Sequence, residues 1–388
     1  MNSPFIVFGA PDIQEAEIQE VVATMQSGWL GNGPKVAAFE AQFASFKALR
    51  VSQVAAVNSC TAALHLSLLA AGVGPGDEVI TTPLTFCATV NAILHTGATP
   101  VLADVDPQTM NIDPAQIESK ITSKTKVILP VHFAGRPCEM DAICDLAAQH
   151  KLQIIEDCAH AVEASYWGRP TGTMGDFGCF SFYSTKNVTS GEGGMVIARD
   201  PERVQFIKMM SSHGISIDAF KRFSKQTFRH YEVLASGFKY NMMDLQAAIA
   251  IHQLKRVESA WERRRTIWSR YQQAFKDFPL GLPAPSPHHV RHAYHLYTLL
   301  LDEQAIDVSR DQFLLSMTKQ GVGVGIHYPA LPEHSFYQGK LGWKPENTPH
   351  ATRIGRQTVS LPISPKLTDE EVQRVITAVA YALTKPHP

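Results

Sequence analysis

Between about residue 50 and residue 200 the chain switches repeatedly between two hydrophobic periods. The run 61–71 (TAALHLSLLAA) has helical spacing and is closed by Gly72, after which GPGDEVITT gives a turn and a short apolar strand centred on Val79 and Ile80. Residues 86–95 are helical again, PVLADVD reads as a strand ending in acids, 114–121 as a helix, KVILPVH as a strand and 139–150 as a helix. LQIIEDCAH, 177–183 and 194–198 supply three further strands. Short apolar strands separated by helices of 10–15 residues predict an α/β fold with a large, mainly parallel sheet covered on both faces. Ligands of such sheets bind beyond the carboxyl ends of the strands, so the residues just after each strand are the ones to examine.

After about residue 240 the pattern changes. One long helical stretch is predicted from Met242 to about Phe275, with Lys255, Arg256, Glu258 and Arg263–Arg265 on its solvated side. The proline-rich GLPAPSPHH interrupts it. HLYTLLLD then reads as a strand, RDQFLLSMTKQ as a helix, GVGVGIHY as a glycine-rich strand and 368–384 as a closing helix. Two units are expected: residues 1–240, a large domain with an amino-terminal arm, and 241–388, a connecting helix with a small α/β domain. A chain of 388 residues is longer than one core usually serves.

Composition narrows the function classes. Hydrophobic residues make up 45%, charged residues 18%, and the formal net charge is −1, so nothing points to nucleic acid or an anionic membrane. No apolar run approaches the ~20 residues that span a bilayer. MNSPFIVFGAPDIQEAE has neither a basic segment nor a long apolar one, so no signal peptide is expected and the cytoplasm is the expected compartment. The six cysteines include no CxxC pair, which argues against a zinc site or a disulfide framework. No metal is expected.

Three strand ends carry chemistry. In IIEDCAHA, Asp157 follows a buried strand and needs a cationic or hydrogen-bonding partner; it is read either as a helix N-cap or as the acid facing a protonated ring nitrogen. In DFGCFSFYSTKNVTSGEGG, Lys186 lies between an apolar strand and a glycine-rich turn. Most lysines are solvated charges, but desolvation here would leave a nucleophilic amine suited to Schiff-base chemistry. In NSCTAALH a small-residue turn opens a helix, an ordinary cap or a cradle for phosphate.

Together these segments are specific. GWLGNGPKVAAFE, NSCTAALHLSLLAAGVGPGDEVITTPLTFCATVNAI, GATPVLADVDPQTMNIDP, KVILPVHFAG, IIEDCAHAVEASYWGRPTGTMGDFGCFSFYSTKN, EGGMV and GFKYNMMDLQAAIAIHQL follow one another in order. The chain resembles the DegT/DnrJ/EryC1/StrS family of sugar-nucleotide aminotransferases over almost its whole length. That resemblance implies the aspartate-aminotransferase architecture (fold type I), pyridoxal 5′-phosphate (PLP) as cofactor, and a homodimer with shared active sites. It implies L-glutamate as amino donor, released as 2-oxoglutarate, and a nucleotide-linked keto sugar as acceptor, aminated at C4 of a UDP- or dTDP-linked deoxyhexose or pentose. By position, Lys186 would carry the cofactor and move protons, Asp157 would hold the pyridine nitrogen, and His160 would face the ring hydroxyl. Phe86, otherwise a core aromatic, would stack on the ring. Cys60, Thr61 and Ser181 would bind the phosphate, although many relatives have Gly at the position of Cys60. Asn241 would reach the phosphate of the neighbouring subunit. On the acceptor side His327, Trp29 and Asn32 match positions near the sugar, His327 having a satisfied strand histidine as its alternative. The loop from Ser211 to Tyr231, with Lys221, Arg222, Lys225 and Arg229, is either a solvated loop or a contact for diphosphate or carboxylate.

Two rivals share the fold, a sugar 3-dehydratase and a non-catalytic regulatory paralogue. The dehydratases carry His at the lysine position, and a paralogue would lose the lysine or the acid; Lys186 and Asp157 argue against both. A nicotinamide-dependent reductase would need a GxGxxG turn in the early strands, which is absent.

Overall fold

The computed structural model describes residues 4–216, 230–302 and 305–384. Its principal element is a seven-stranded sheet. The strands are β1 (Val54–Val57), β2 (Glu78–Thr81), β3 (Thr99–Leu102), β4 (Thr125–Leu129) and β5 (Gln153–Asp157). A short hairpin of β6 (Ser165–Tyr166) and β7 (Arg169–Pro170) precedes β8 (Phe177–Ser181) and β9 (Gly194–Ala198). The spatial order is β1-β9-β8-β5-β4-β2-β3. Strands β3, β2, β4, β5 and β8 are parallel, while β9 runs antiparallel between β8 and β1. The antiparallel step is where the chain passes from β8 to β9 without a helical crossover. With β9 inverted, β1 points the same way as β8. The turns after β1, β2, β4, β5 and β8 and the start of β9 therefore share one edge.

Helices cover both faces of this sheet. On one, Leu64, Leu66 and Leu68 of the helix Cys60–Ala70 pack with Val79, Val127 and Ile155 of the strands. On the other, Phe39 and Phe43 of the helix Pro34–Phe46 pack with Phe180, Phe182 and Ala247. The predicted helix from Met242 to Phe275 is two helices, Asp244–Lys255 and Val257–Phe275, broken at Arg256. Arg256 is held across the break by Asp12 and Glu17. Each half faces a different core. Asp244–Lys255 lies with the large sheet, whereas Tyr271 and Phe275 pack with Tyr297, Phe313 and Val375 of the second core. Periodicity alone does not show this division.

The second core lies over a small antiparallel sheet of β10 (Leu280–Gly281), β12 (Tyr297–Leu301) and β13 (Thr358–Leu361), in the order β10-β12-β13; β11 (Val290–Arg291) instead pairs with β6. GVGVGIHY is not a strand. It makes single bridges at Val322 to Ile6 and at Gly325 to Ser360. Its glycines lack the side chains that hold a strand against a core. No described helix is long and apolar enough to cross a membrane.

One buried anion fixes the loop that precedes β8. Glu156 of β5 is fully buried and accepts from the N–H groups of Gly172 (2.8 Å), Met174 (2.8 Å) and Gly175 (2.7 Å). His132 lies 2.9 Å away through Nε2, and its Nδ1 accepts from the Cys138 N–H, so Nε2 carries the proton and donates. Cys158 joins these two residues in a compact trio. The His132 and Glu156 donor atoms are already committed to protein hydrogen bonds, leaving the trio poorly suited to a metal ion. Burial pushes the Glu156 carboxyl up, but the His132 bond and the backbone donors outweigh it and hold the group below its ordinary value. Such a group stabilises the fold above its unfolded pKa of 4.5, and that contribution fades as pH falls through the lower folded value. Glu156→Gln is expected to cost about 3 kcal/mol, because the amide N–H₂ turns a donor toward backbone donors. Urea denaturation should show the gap to wild type at pH 7 and its narrowing below pH 4.5.

Candidate active site

Along the shared edge of the sheet lies a cavity of about 510 Å³. Lys186, Asp157, His160, Phe86, Cys60, Thr61, Ser181 and His327 all line it. Residues spread over more than 260 positions thus converge because their strands end together.

The cradle comes first. Ser59 caps the helix Cys60–Ala70 by accepting from the Ala62 N–H at 3.1 Å, and the helix points its amino terminus at the cavity with Cys60 and Thr61 in the first turn. Ser181, buried at the end of β8, contributes its hydroxyl. Val57 and Ser181 both pair with Gly194, which brings the two turns together. A Cβ on Gly194 would stand 2.5 Å from the Ser59 carbonyl and 2.8 Å from the Cys60 nitrogen, so only glycine permits this approach. Backbone N–H groups, a helix dipole and a hydroxyl around one point fit a phosphate.

Asp157 ends β5. No helix begins after it, which removes the N-cap reading. Its carboxylate accepts from Thr89 Oγ1 and from the Ala159 N–H, both at 3.0 Å. Burial raises its pKa; those two bonds and the charge of Lys186 only partly offset the rise. A buried carboxylate held by neutral donors is electrostatically incomplete and fits a cation brought in by a ligand.

Lys186 is partly exposed, to the cavity, and its amine makes no hydrogen bond to another described residue. Desolvation pulls its pKa down to about 8, against the opposing influence of Cys60 and Asp157. Roughly a tenth of the amine is then neutral at pH 7, against well under a thousandth for a free lysine. Desolvation by itself does not single this residue out. Lys47 is also brought down to about 8 by burial. Its Nζ, however, donates to the carbonyls of Val162 (2.7 Å) and Thr171 (2.9 Å), away from the cavity, so it cannot act as a nucleophile.

Phe86 is 58% exposed and lies in the cavity wall, so it is not a core aromatic. Its open face fits a flat ring set between it and the sheet edge. His160 is buried, its Nδ1 accepting from the Ala134 N–H at 3.2 Å and its Nε2 lying 3.2 Å from the Tyr328 hydroxyl. Burial, aided by Lys186 and His327, keeps it neutral far below its usual titration range. His327 stacks on Phe8 at 5.3 Å and bonds Ser360 through Nδ1 at 2.9 Å. It thus lines the cavity while its Nδ1 is tied to Ser360 of β13. Thr89, His295 and Tyr328 were not legible as site residues. Only the adjacency of Tyr328 to His327 signalled its place.

Trp29, Asn32 and Asn241 do not line this cavity. They sit on a neighbouring cleft that shares Ser59 and Glu192 with it and also includes Asn58 and Lys239. Trp29 Nε1 donates to the Asn32 carbonyl at 3.1 Å, and Asn241 accepts from Lys239 Nζ at 2.6 Å. Asp244 holds the loop of Trp29–Asn32 by donating its N–H to the Gly31 carbonyl at 2.8 Å, and it accepts from the N–H groups of Gly33, Lys35 and Val36 just beyond. Lys221, Arg222, Lys225 and Arg229 fall outside the described residues.

A phosphate cradle, an incomplete buried carboxylate, a desolvated amine and an exposed aromatic ring surround one cavity, and PLP requires that set. The family model of the DegT/DnrJ/EryC1/StrS aminotransferase family matches residues 11–380. Spore coat polysaccharide biosynthesis protein SpsC of Bacillus subtilis is 47% identical over 97% of this chain and 96% of its own length. The PLP form of Spr1654 from Streptococcus pneumoniae superposes with a TM-score of 0.89 at 32% identity, covering 98% of this chain and all of that one, 100%. DesI, in the presence of its TDP-sugar product, gives a TM-score of 0.87 at 29% identity over 99% of this chain and 94% of that one.

Proposed function

Because the chain belongs to the DegT/DnrJ/EryC1/StrS aminotransferase family, a family of PLP-dependent sugar aminotransferases, we propose that it moves the amino group of L-glutamate to the C4 ketone of a nucleotide-linked keto sugar. The observation that carries this reading is Lys186 and Asp157 lining one cavity beside the cradle at Cys60, Thr61 and Ser181. The TDP-sugar product of DesI supports a UDP- or dTDP-linked acceptor here.

Bound PLP supplies an aldehyde that captures amines and a ring that accepts electrons. The N–H groups at Cys60 and Thr61, with the Ser181 hydroxyl, would hold its phosphate. Asp157 would keep the ring nitrogen protonated, and the Phe86 ring would cover one face. Lys186 Nζ would take a proton from the substrate carbon and deliver it to the cofactor carbon that had carried the aldehyde, acting as base and then as acid. The apolar walls, including Leu64, Val131 and Leu296, exclude water while the proton is in transit. His327 stands where it can meet the sugar.

The reading includes a homodimer in which Asn241, Trp29 and Asn32 serve the partner's site. Two features support it. Ile18, Val22 and Met25 are exposed in the helix Glu15–Gln26, at spacings that align them on one face, and Leu30 and Met243 are exposed nearby. The cleft holding Asn241 adjoins the cavity yet does not open on Lys186.

A panel of UDP- and dTDP-linked 4-keto and 3-keto sugars, incubated with the protein, PLP and ¹⁵N-glutamate and read by mass spectrometry, tests the reading. ¹⁵N should appear in a 4-amino sugar together with 2-oxoglutarate. Label only in a 3-amino sugar would reject C4, and loss of water without label would reject amino transfer in favour of dehydration.

A further inference from the structure

Behind Lys186 runs a buried hydrogen-bond chain that the reaction as described does not use. Asn187 Nδ2 donates to Glu163 Oε1 at 2.6 Å and to the Ala293 carbonyl at 2.9 Å, and Asn187 Oδ1 lies 2.9 Å from His295 Nδ1. The orientation of the Asn187 amide is forced, since flipping it would set its oxygen against a carboxylate and a carbonyl. Asn187 Oδ1 can only accept. His295 Nδ1 must therefore carry a proton.

His295 is buried, and burial, with His160 and Lys186, pushes its pKa far below the usual range, so the imidazole is neutral. A neutral imidazole protonated at Nδ1 leaves Nε2 bare. His295 lines the cavity, and Nε2 makes no hydrogen bond to another described residue. The neighbouring His160, with ring centroids 4.4 Å apart, is the opposite case. Its Nδ1 accepts from a backbone N–H, so Nε2–H is committed to the Tyr328 oxygen. Of these two histidines, one offers the cavity an acceptor and the other has both nitrogens occupied.

We propose that Glu163 and Asn187 lock His295 in the Nδ1–H tautomer so that Nε2 accepts a hydrogen bond from the ammonium of Lys186. This rests on the reading of Lys186 as the lysine of amino transfer. Whenever Lys186 Nζ has taken a proton it is a cation in a largely apolar cavity, and Asp157 is then engaged with the cofactor. A bare imidazole nitrogen gives that cation a place to rest without itself becoming charged. His295 is thus a positioning residue, acting through Lys186, and Glu163 and Asn187 act through His295. Cys60 and Asp157 act on the charge of Lys186, and Lys186 in turn acts on His160, His295 and His327.

Two measurements on the full chain test this without turnover. In protein labelled with ¹⁵N-histidine, the His295 Nε2 resonance, assigned by its loss in His295→Gln, should have the pyridine-type shift of an unprotonated nitrogen. Reductive methylation of Lys186 by formaldehyde and cyanoborohydride, followed by mass spectrometry against pH in the cofactor-free chain, gives the titration of its amine. His295→Asn keeps the bond to Asn187 but removes the acceptor, and should lower the Lys186 midpoint by about half a pH unit or more, a roughly threefold change in neutral amine. His295→Gln, which can return an oxygen to the Nε2 position, should restore it. A pyrrole-type Nε2, or the same midpoint in wild type and His295→Asn, would overturn the proposal. Should His295→Asn not fold, the wild-type tautomer and the Gln variant decide. Failure of the underlying reading would show separately, as unimpaired activity in Lys186→Ala.

Discussion

Lys186→Ala is expected to lower amino transfer by about 10⁴-fold or more, while leaving the protein folded. The size of the loss follows from two tasks falling on one atom. On the proposed function Nζ would capture the cofactor's aldehyde and would also move the proton between the substrate carbon and the cofactor, a step that water performs poorly from a cavity lined by Leu64, Val131 and Leu296. The fold should survive because the Lys186 amine bonds no other described residue, so truncation leaves no buried partner unsatisfied. Three readouts check this. The variant should show no visible absorbance from a lysine-linked cofactor, and borohydride should fix no cofactor mass on the peptide containing position 186. Millimolar small primary amines should return part of the activity. Wild-type turnover in the variant would sink the assignment of Lys186.

Asp157→Asn is expected to lower turnover by about 10³-fold, with a smaller effect on cofactor retention. On the proposed function the ring nitrogen needs the charge of this carboxylate. An amide of the same shape keeps the acceptor for the Ala159 N–H but cannot hold a neighbouring proton as an ion pair. The stability effect should run the other way. Burial raises the Asp157 pKa, so the folded chain binds protons more readily than the unfolded chain above pH 3.8. Stability of the cofactor-free protein therefore falls as pH rises from 3.8 through the raised folded value, above which the loss is complete. Removing the charge should relieve it. Cofactor-free Asp157→Asn should melt no lower than cofactor-free wild type at pH 7, while its loaded form loses activity. A variant that melts well below wild type without cofactor would mean that the carboxylate serves the fold and not the ligand. Such opposition between stability and function is common where a polar group waits for its ligand.

These two residues also show how far a sequence can be read. Lys186 and Asp157 were visible because each follows a buried strand, where a charge is out of place unless it has a use. A lowered pKa alone would not have chosen Lys186, since burial brings Lys47, at the end of the helix Pro34–Phe46, to the same value of about 8 while two carbonyls 115 and 124 residues away satisfy it. Phe86 is a similar case, since an apolar letter in an apolar run reads as core until the structure shows its ring open to a cavity. The long stretch from Met242 to Phe275 failed for a related reason. Its periodicity is continuous, but Arg256 is drawn to Asp12 and Glu17 and the two halves pack on different cores.

What the chain's own pattern determined was the alternation of strands and helices, the parallel sheet, and the segments at which ligand chemistry had to sit. These are set by side-chain period and by turn residues, which are local. Tertiary structure alone decided which of those segments meet. The inversion of β9 turns β1 to run with β8, and the absence of a Cβ at Gly194 lets the turn after β1 approach β9. It also placed Trp29, Asn32 and Asn241 outside the Lys186 cavity and set His295 beside His160. Such contacts join residues up to hundreds of positions apart, and no local propensity encodes a distance of that kind.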